Sequence, residues 1–172
     1  MKRLLSLGAF ALLLLSPSMA LAQSSMATMQ YGVGPHGFDY FIGTWTCKNS
    51  MASDLSGPST STLTISPSPA GSSLYFRVKG QKFDSAGYVS YSAKTKTWLN
   101  PAAFADGSYS FESTTQTGKK TTWTGTYYNA ASGTTAQIRD TYTLFPGHYT
   151  DLNETKSGGA WKTTGNSTCT KE

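Results

Sequence analysis

From Phe38 onward, the chain alternates apolar and polar residues over short runs that turn-forming residues separate. In the run at 120–128, Trp123 and Tyr127 share one parity while threonines occupy the other. Successive side chains of a strand point to opposite faces, so this pattern predicts strands with one apolar face and one hydroxyl-rich face. Threonine suits the outer face because its branched Cβ favours the strand and its hydroxyl contacts water.

Ten such runs can be counted, and no window after residue 37 has a helical period. The predicted strands lie near 40–49, 58–66, 72–79, 86–92, 96–101, 107–114, 120–128, 134–144, 148–156 and 160–170. Clusters of Gly, Pro, Asp and Ser separate them at intervals typical of hairpins. The chain is therefore predicted to be all-β, as a sandwich or a barrel.

The parity of the apolar residues also predicts which side chains face the interior. Phe76 lies on the apolar face of its run. In the run at 107–114, Tyr109 and Phe111 oppose Ser110 and Glu112, so the two aromatic residues are predicted to point inward.

The only two cysteines, Cys47 and Cys169, lie in the first and the last predicted strand. A disulfide between them would make the terminal strands neighbours, as in a sheet closed on itself. We therefore predict a single closed antiparallel up-and-down β-barrel of about 8–10 strands, although a sandwich could also place the cysteines together. A membrane barrel is the weaker alternative, because a threonine-rich face is unsuited to lipid.

The N-terminus has the features of a secretory signal peptide. Lys2 and Arg3 precede an apolar run from Leu4 to Leu15, and Ala20-Leu21-Ala22 forms a small-x-small cleavage site. The predicted organisation is a signal peptide at 1–22, a flexible leader at 23–37 and a barrel domain at 38–172. An exported, periplasmic or extracellular protein with no membrane span in its mature chain is expected, and such compartments permit disulfides.

Charge and motifs exclude several function classes. The net charge is +5, but the basic residues are scattered, so no nucleic-acid partner is predicted. Two cysteines and two histidines at unrelated spacings predict no metal site. No nucleophile elbow, phosphate loop or paired inward carboxylates appear, so no catalytic residue is assigned. An enzyme using Asp140 or His148 is the minority hypothesis.

Asp140 shares the apolar parity of its run with Ile138 and Tyr142 and is predicted to face the interior. A buried carboxyl must be hydrogen-bonded, paired or protonated, so Asp140 either anchors a ligand or pairs within the protein. The predicted ligand-binding set is Trp45, Phe76, Trp123, Tyr127, Asp140 and Tyr142. Trp45 could instead plug the base of the barrel. Binding of a small apolar or amphipathic molecule is expected, with a filled structural or interaction barrel as the alternative.

The segment Phe38 to Cys47, with Gly43-Thr44-Trp45 at its centre, resembles the opening of uncharacterised bacterial secreted proteins with a lipocalin-like (calycin) domain. The segments 122–125 and 138–143 are similar to the same group. The resemblance implies a small closed β-barrel with an internal cavity. Haem-binding nitrobindins also open with Gly-x-Trp, but their glycine-rich continuation is missing here, and only His148 lies in a predicted strand. No cofactor is therefore predicted.

Overall fold

The computed structural model describes residues 36–51, 58–69, 73–81 and 84–172. The predicted signal peptide and most of the predicted leader lie outside these ranges. A short 3₁₀ turn at Asp39–Phe41 precedes ten strands. They are β1 Gly43–Met51, β2 Ser59–Pro67, β3 Ser73–Gly80, β4 Asp84–Ser92, β5 Thr97–Phe104, β6 Tyr109–Thr114, β7 Lys120–Asn129, β8 Thr134–Phe145, β9 His148–Ser157 and β10 Ala160–Lys171. None of the helical residues in these ranges forms a helix long and apolar enough to cross a membrane.

The strands form one closed barrel in which each is antiparallel to its sequence neighbours. Pairing of β1 with β10 completes the closure, and this pairing places Cys47 opposite Cys169. The two residues form a disulfide across 122 positions of sequence. The predicted up-and-down barrel and its disulfide pairing are therefore confirmed, with the strand number at the upper end of the predicted range.

Aromatic side chains fill one end of the barrel, which we call the base. Phe38, just before the 3₁₀ turn, and Phe41, its last residue, fold back into this end. The ring of Phe38 lies 4.7 Å from that of Trp98 and 5.2 Å from that of Trp123. The indole N–H of Trp45 donates a 2.8 Å hydrogen bond to the Phe41 carbonyl. Because this bond satisfies the indole, a fully buried tryptophan can close the base.

The parity prediction was wrong for β6. Ser110 and Glu112 point into the barrel and are buried, whereas Tyr109 and Phe111 are 54% and 48% exposed. Tyr109 stacks on Tyr128 of β7 on the outside, with ring centroids 5.0 Å apart. Cross-strand packing of this kind gives an aromatic residue a partner outside the core, so its apolar character does not decide the face.

The pairing of β9 with β10 shifts between Thr163 and Gly165, so the inward parity of Cys169 does not extend to Trp161. Such a bulge adds one residue to a strand and reverses the faces beyond it. The Trp161 ring consequently covers the guanidinium of Arg139, 4.6 Å from its centroid. Arg139 also pairs with Glu154 at 2.7 Å, so Trp161, Arg139 and Glu154 form a cross-strand cluster.

Candidate functional site

Beyond the aromatic base, the barrel encloses a cavity of about 1200 Å³ to which every strand contributes lining residues. It extends from Phe38 and Phe41 at the base to Met51, Gln81 and Asn129 near the opposite end. The volume slightly exceeds the ~300–1,000 Å³ typical of small-molecule sites. The interior of this barrel is therefore large enough for an organic ligand.

The cavity has two chemically different walls. The wall from β2 to β4 is mostly apolar and carries Leu63, Ile65, Leu74, Phe76, Val78 and Val89. The wall from β5 to β9 includes Asn100, Glu112, Asp140, Asp151 and Asn153. The alternating pattern of each strand produces both walls, because every second residue faces inward whatever its polarity.

Two asparagines hold the carboxyl groups of the polar wall. The Asn153 Nδ2 donates to Asp140 Oδ1 at 3.1 Å and to Asp151 Oδ2 at 2.9 Å. The Asn100 Nδ2 lies 3.4 Å from Glu112 Oε2, a long hydrogen bond. Glu112 and Asp140 are close enough for each carboxyl to influence the protonation of the other.

Gly125 explains how Glu112 of β6 can reach Asp140 of β8 across β7. It is the register partner of Glu112 and shares the inward parity of Trp123. A Cβ at this position would overlap the Phe111 carbonyl oxygen and lie 2.6 Å from Glu112 Cα. Glycine therefore permits close pairing of β6 with β7 and leaves the space above β7 open for the two carboxyls.

Burial is the largest cause of the raised pKa values of the three carboxyls in this cluster. It raises the pKa of Glu112 to about 9, with the neighbouring charges of Asp140 and Asp151 acting in the same direction. Burial likewise raises the pKa of Asp140 to about 6, although its hydrogen bond from Asn153 opposes the shift. The pKa of Asp151 also lies well above its usual range because of burial and the Asp140 charge. The cluster therefore retains protons at neutral pH.

Four buried polar atoms of the lining residues have no hydrogen-bond partner among the described residues. They are Asn100 Oδ1, Glu112 Oε1, Asp151 Oδ1 and Trp123 Nε1. Glu112 is only 3% exposed and Trp123 only 2%. Buried polar groups are normally satisfied, and each unsatisfied one costs about 1–3 kcal/mol. The unpaired atoms, together with the protonated carboxyls, mark this wall as a candidate site for a polar ligand group.

The structure brings together five of the six predicted ligand-binding residues. Phe76, Trp123, Tyr127, Asp140 and Tyr142 line the cavity. Trp45 lies within the base, fully buried, and is not among the lining residues. Ligand binding by this set stays a prediction.

Sequence reasoning missed the other polar residues of the cavity. Asp151 and Asn153 share the parity of Tyr149, which faces inward, so this alternation was an available signal. Glu112 had no such signal, because the two aromatic residues beside it indicated the opposite face.

Neither histidine contributes to the cavity. The His148 ring stacks on that of Phe145 at 4.7 Å, with its Nδ1 3.3 Å from the Pro146 carbonyl. The His36 Nδ1 contacts Asp39 outside the barrel at 2.8 Å. Within the described ranges, no three His, Cys, Asp or Glu side chains are arranged to hold a metal ion.

Comparison with known proteins supports the fold and goes no further. No family model matches the chain, and no curated protein sequence does. Among solved structures, it is similar to the crystal structure of Rv2717c from M. tuberculosis, with a TM-score of 0.57 and 10% sequence identity. The match covers 77% of this chain and 92% of that one. At this identity the likeness concerns the barrel architecture alone.

Proposed function

We propose that this chain is an exported lipocalin-like barrel that binds a small apolar or amphipathic molecule in its interior. The observation that carries the proposal is the cavity of about 1200 Å³, with an apolar wall facing a polar one. Such a site can take up an apolar body, with buried area contributing roughly 25 cal/mol per Å². The few polar groups opposite would then fix its orientation.

The distribution of aromatic residues argues against the alternative of a filled structural barrel. Phe38, Phe41, Trp45 and Trp98 pack together at the base. Above them the walls turn to shorter side chains, among them Val78, Ser85, Ala102 and Ser110, which leave the cavity open. A side-chain-filled interior would require large residues at these positions.

Export is supported by the N-terminal pattern described above and is compatible with the disulfide. Cys47 and Cys169 join the first and last strands of the barrel. Structural disulfides persist in oxidising compartments and are rare in the cytosol.

A binding assay with a matched pair of variants tests the proposed function. Fatty acids, phenols and porphyrins would be titrated against tryptophan emission, because Trp123 lines the cavity. Ala102 faces the cavity and Ala103 faces outward, so Ala102→Phe should block binding while Ala103→Phe should not. Saturable binding to the wild type and to Ala103→Phe, with loss in Ala102→Phe, is expected. Absence of saturable binding throughout would favour a structural barrel, and equal binding by both variants would place the ligand outside the cavity.

Two wall variants test the predicted contacts. Phe76→Ala should weaken binding about tenfold or more, because burying one large apolar side chain contributes roughly 1.5–3 kcal/mol. Asp140→Asn should weaken the binding of a ligand that donates a hydrogen bond to Asp140, since such a charge-assisted bond contributes about 1.5–3 kcal/mol. Thermal melts of both variants provide the folding control. Unchanged affinity in both variants would place the ligand elsewhere.

A further inference from the structure

We propose that the ligand is an organic cation, an apolar molecule whose protonated amine binds among Glu112, Asp140 and Asp151. This inference rests on the proposed function and specifies the ligand class for the same cavity. It depends on the charges that face the polar wall, on the unpaired atoms there and on the apolar wall opposite.

The polar wall has carboxyl groups but no basic partner. No Lys, Arg or His is among the described residues that line the cavity. Arg139 adjoins Asp140 in sequence but pairs outside with Glu154 at 2.7 Å. The other groups near the carboxyls are the amides of Asn100 and Asn153, the phenols of Tyr142 and Tyr149, Trp123, and Glu154, whose charge acts on Asp140.

Three further acids line the cavity but have partners of their own. Asp84 pairs with Arg77 at 3.2 Å and Glu154 with Arg139 at 2.7 Å. Asp106 accepts hydrogen bonds from the backbone N–H and the hydroxyl of Ser108. The uncompensated charge of the interior is therefore concentrated in the three-carboxyl cluster. Buried charges of one sign are costly unless an opposite charge joins them.

The unpaired atoms fit an ammonium group in number and in kind. Asn100 Oδ1, Glu112 Oε1 and Asp151 Oδ1 are oxygens without a donor among the described residues. A primary ammonium has three N–H donors and no acceptor, so it complements three such oxygens. The unpaired Trp123 N–H is left for an acceptor elsewhere on the ligand.

The carboxyls at the proposed ammonium position retain protons at neutral pH. Burial and the charges of Asp140 and Asp151 raise the pKa of Glu112 to about 9, and burial raises the pKa of Asp140 to about 6. A bound ammonium would favour the ionised carboxylates and release these protons. Binding should therefore strengthen as pH rises from 5.5 to 7.5, a range in which a primary alkylamine stays protonated.

The apolar wall indicates that the cation has a hydrocarbon body. Leu63, Ile65, Phe76 and Val78 face the polar wall across the cavity. A small hydrated cation would leave this surface without a partner, whereas an alkyl or aryl amine would cover it.

Three probes with the same chain test the proposal by calorimetric titration: octylammonium, 1-octanol and octanoate. At pH 7.5, octylammonium should bind about tenfold or more tighter than octanol, and octanoate should bind weakest. Release of one proton changes the affinity tenfold per pH unit, so octylammonium affinity should rise by up to about a hundredfold from pH 5.5 to 7.5. The affinity for octanol should stay constant. If octanol or octanoate bound as tightly as octylammonium, the proposal of a cationic ligand would be overturned, while the proposed function would remain intact.

Variants of the cluster locate the ammonium. Glu112→Gln and Asp140→Asn should each lower the affinity for octylammonium about tenfold and leave the affinity for octanol unchanged. Glu172→Gln removes the same charge from an exposed position and should change neither affinity. Equal effects of Glu112→Gln and Glu172→Gln would overturn the proposed position. If no octyl probe binds but one of the fatty acids, phenols or porphyrins does, only the proposal of a cationic ligand is overturned. If none of these compounds binds, the proposed function fails as well.

Discussion

The stability of this barrel should fall as pH rises through neutrality, with Glu112 as a principal cause. The pKa of Glu112 is about 9 in the folded protein and near 4.5 in an exposed glutamate. Between these values the folded state holds a proton that the unfolded state has released. The contribution of this group to the free energy of unfolding is therefore fully present below pH 4.5 and is lost as pH rises towards 9.

The size of the effect follows from proton linkage. One retained proton changes the free energy of unfolding by about 1.4 kcal/mol per pH unit, so Glu112 alone should cost about 2.7 kcal/mol between pH 6 and 8. Asp140, with its pKa near 6, acts with the same sign mostly below that interval. The raised pKa of Asp151 adds a further loss in the same direction.

Urea denaturation followed by tryptophan emission at pH 5, 6, 7 and 8 measures this dependence. Glu112→Gln keeps an acceptor for the Asn100 amide but cannot ionise, so the slope should fall by about 1.4 kcal/mol per pH unit. Glu154→Gln is the matched control, because the Arg139 hydrogen bond lowers the pKa of Glu154 and keeps it ionised throughout this range. Its slope between pH 6 and 8 should match that of the wild type.

Two outcomes would refute the reasoning. Wild-type stability that is flat or rises between pH 6 and 8 would show that the folded protein holds no excess protons there. A Glu112→Gln variant with the wild-type slope would assign the protons to other groups. The variant can be measured over the whole pH range, because Glu112→Gln should be at least as stable as the wild type at pH 8.

Three further predictions follow from the fold. Gly125→Ala should lower the free energy of unfolding by about 1–3 kcal/mol, since its Cβ would overlap the Phe111 carbonyl; the exposed control Thr124→Ala should stay within about 0.5 kcal/mol in the same denaturation assay. Reducing the disulfide should lower stability by roughly 2–4 kcal/mol, and alkylation of two free thiols in the unreduced, denatured protein would contradict the bond. The exported protein should begin at Gln23 by intact mass, and retention of residues 1–22 would contradict the predicted cleavage.

The strands could be predicted from sequence because their information is local. Alternation and turn residues placed all ten strands within a few residues of their observed bounds, except that 39–41 form a 3₁₀ turn. The two cysteines then supplied the one long-range contact needed for closure, Cys47 with Cys169. With ten strands joined by nine consecutive hairpins and the ends paired, little freedom in topology remains.

The site was harder to predict because it depends on which face each strand turns inward. In β6, Tyr109 packs on Tyr128 outside the barrel, while Glu112 meets Asn100 and Gly125 inside. These contacts depend on which residues lie opposite on the neighbouring strands, and the alternation within one strand does not reveal that. The bulge in β10 that turns Trp161 outward is non-local in the same way.

The carboxyl cluster is difficult to explain as a stabilising feature. Neutral hydrogen-bonded side chains would fill the same wall without the pH-dependent loss expected for Glu112 and Asp151. Disulfide closure and the aromatic base can offset such a loss, and proteins commonly retain destabilising groups at functional sites. If a cation displaces the retained protons, the pH dependence of stability and that of binding have one origin. Glu112→Gln should then flatten both profiles together, whereas a purely structural cluster would alter the stability profile alone.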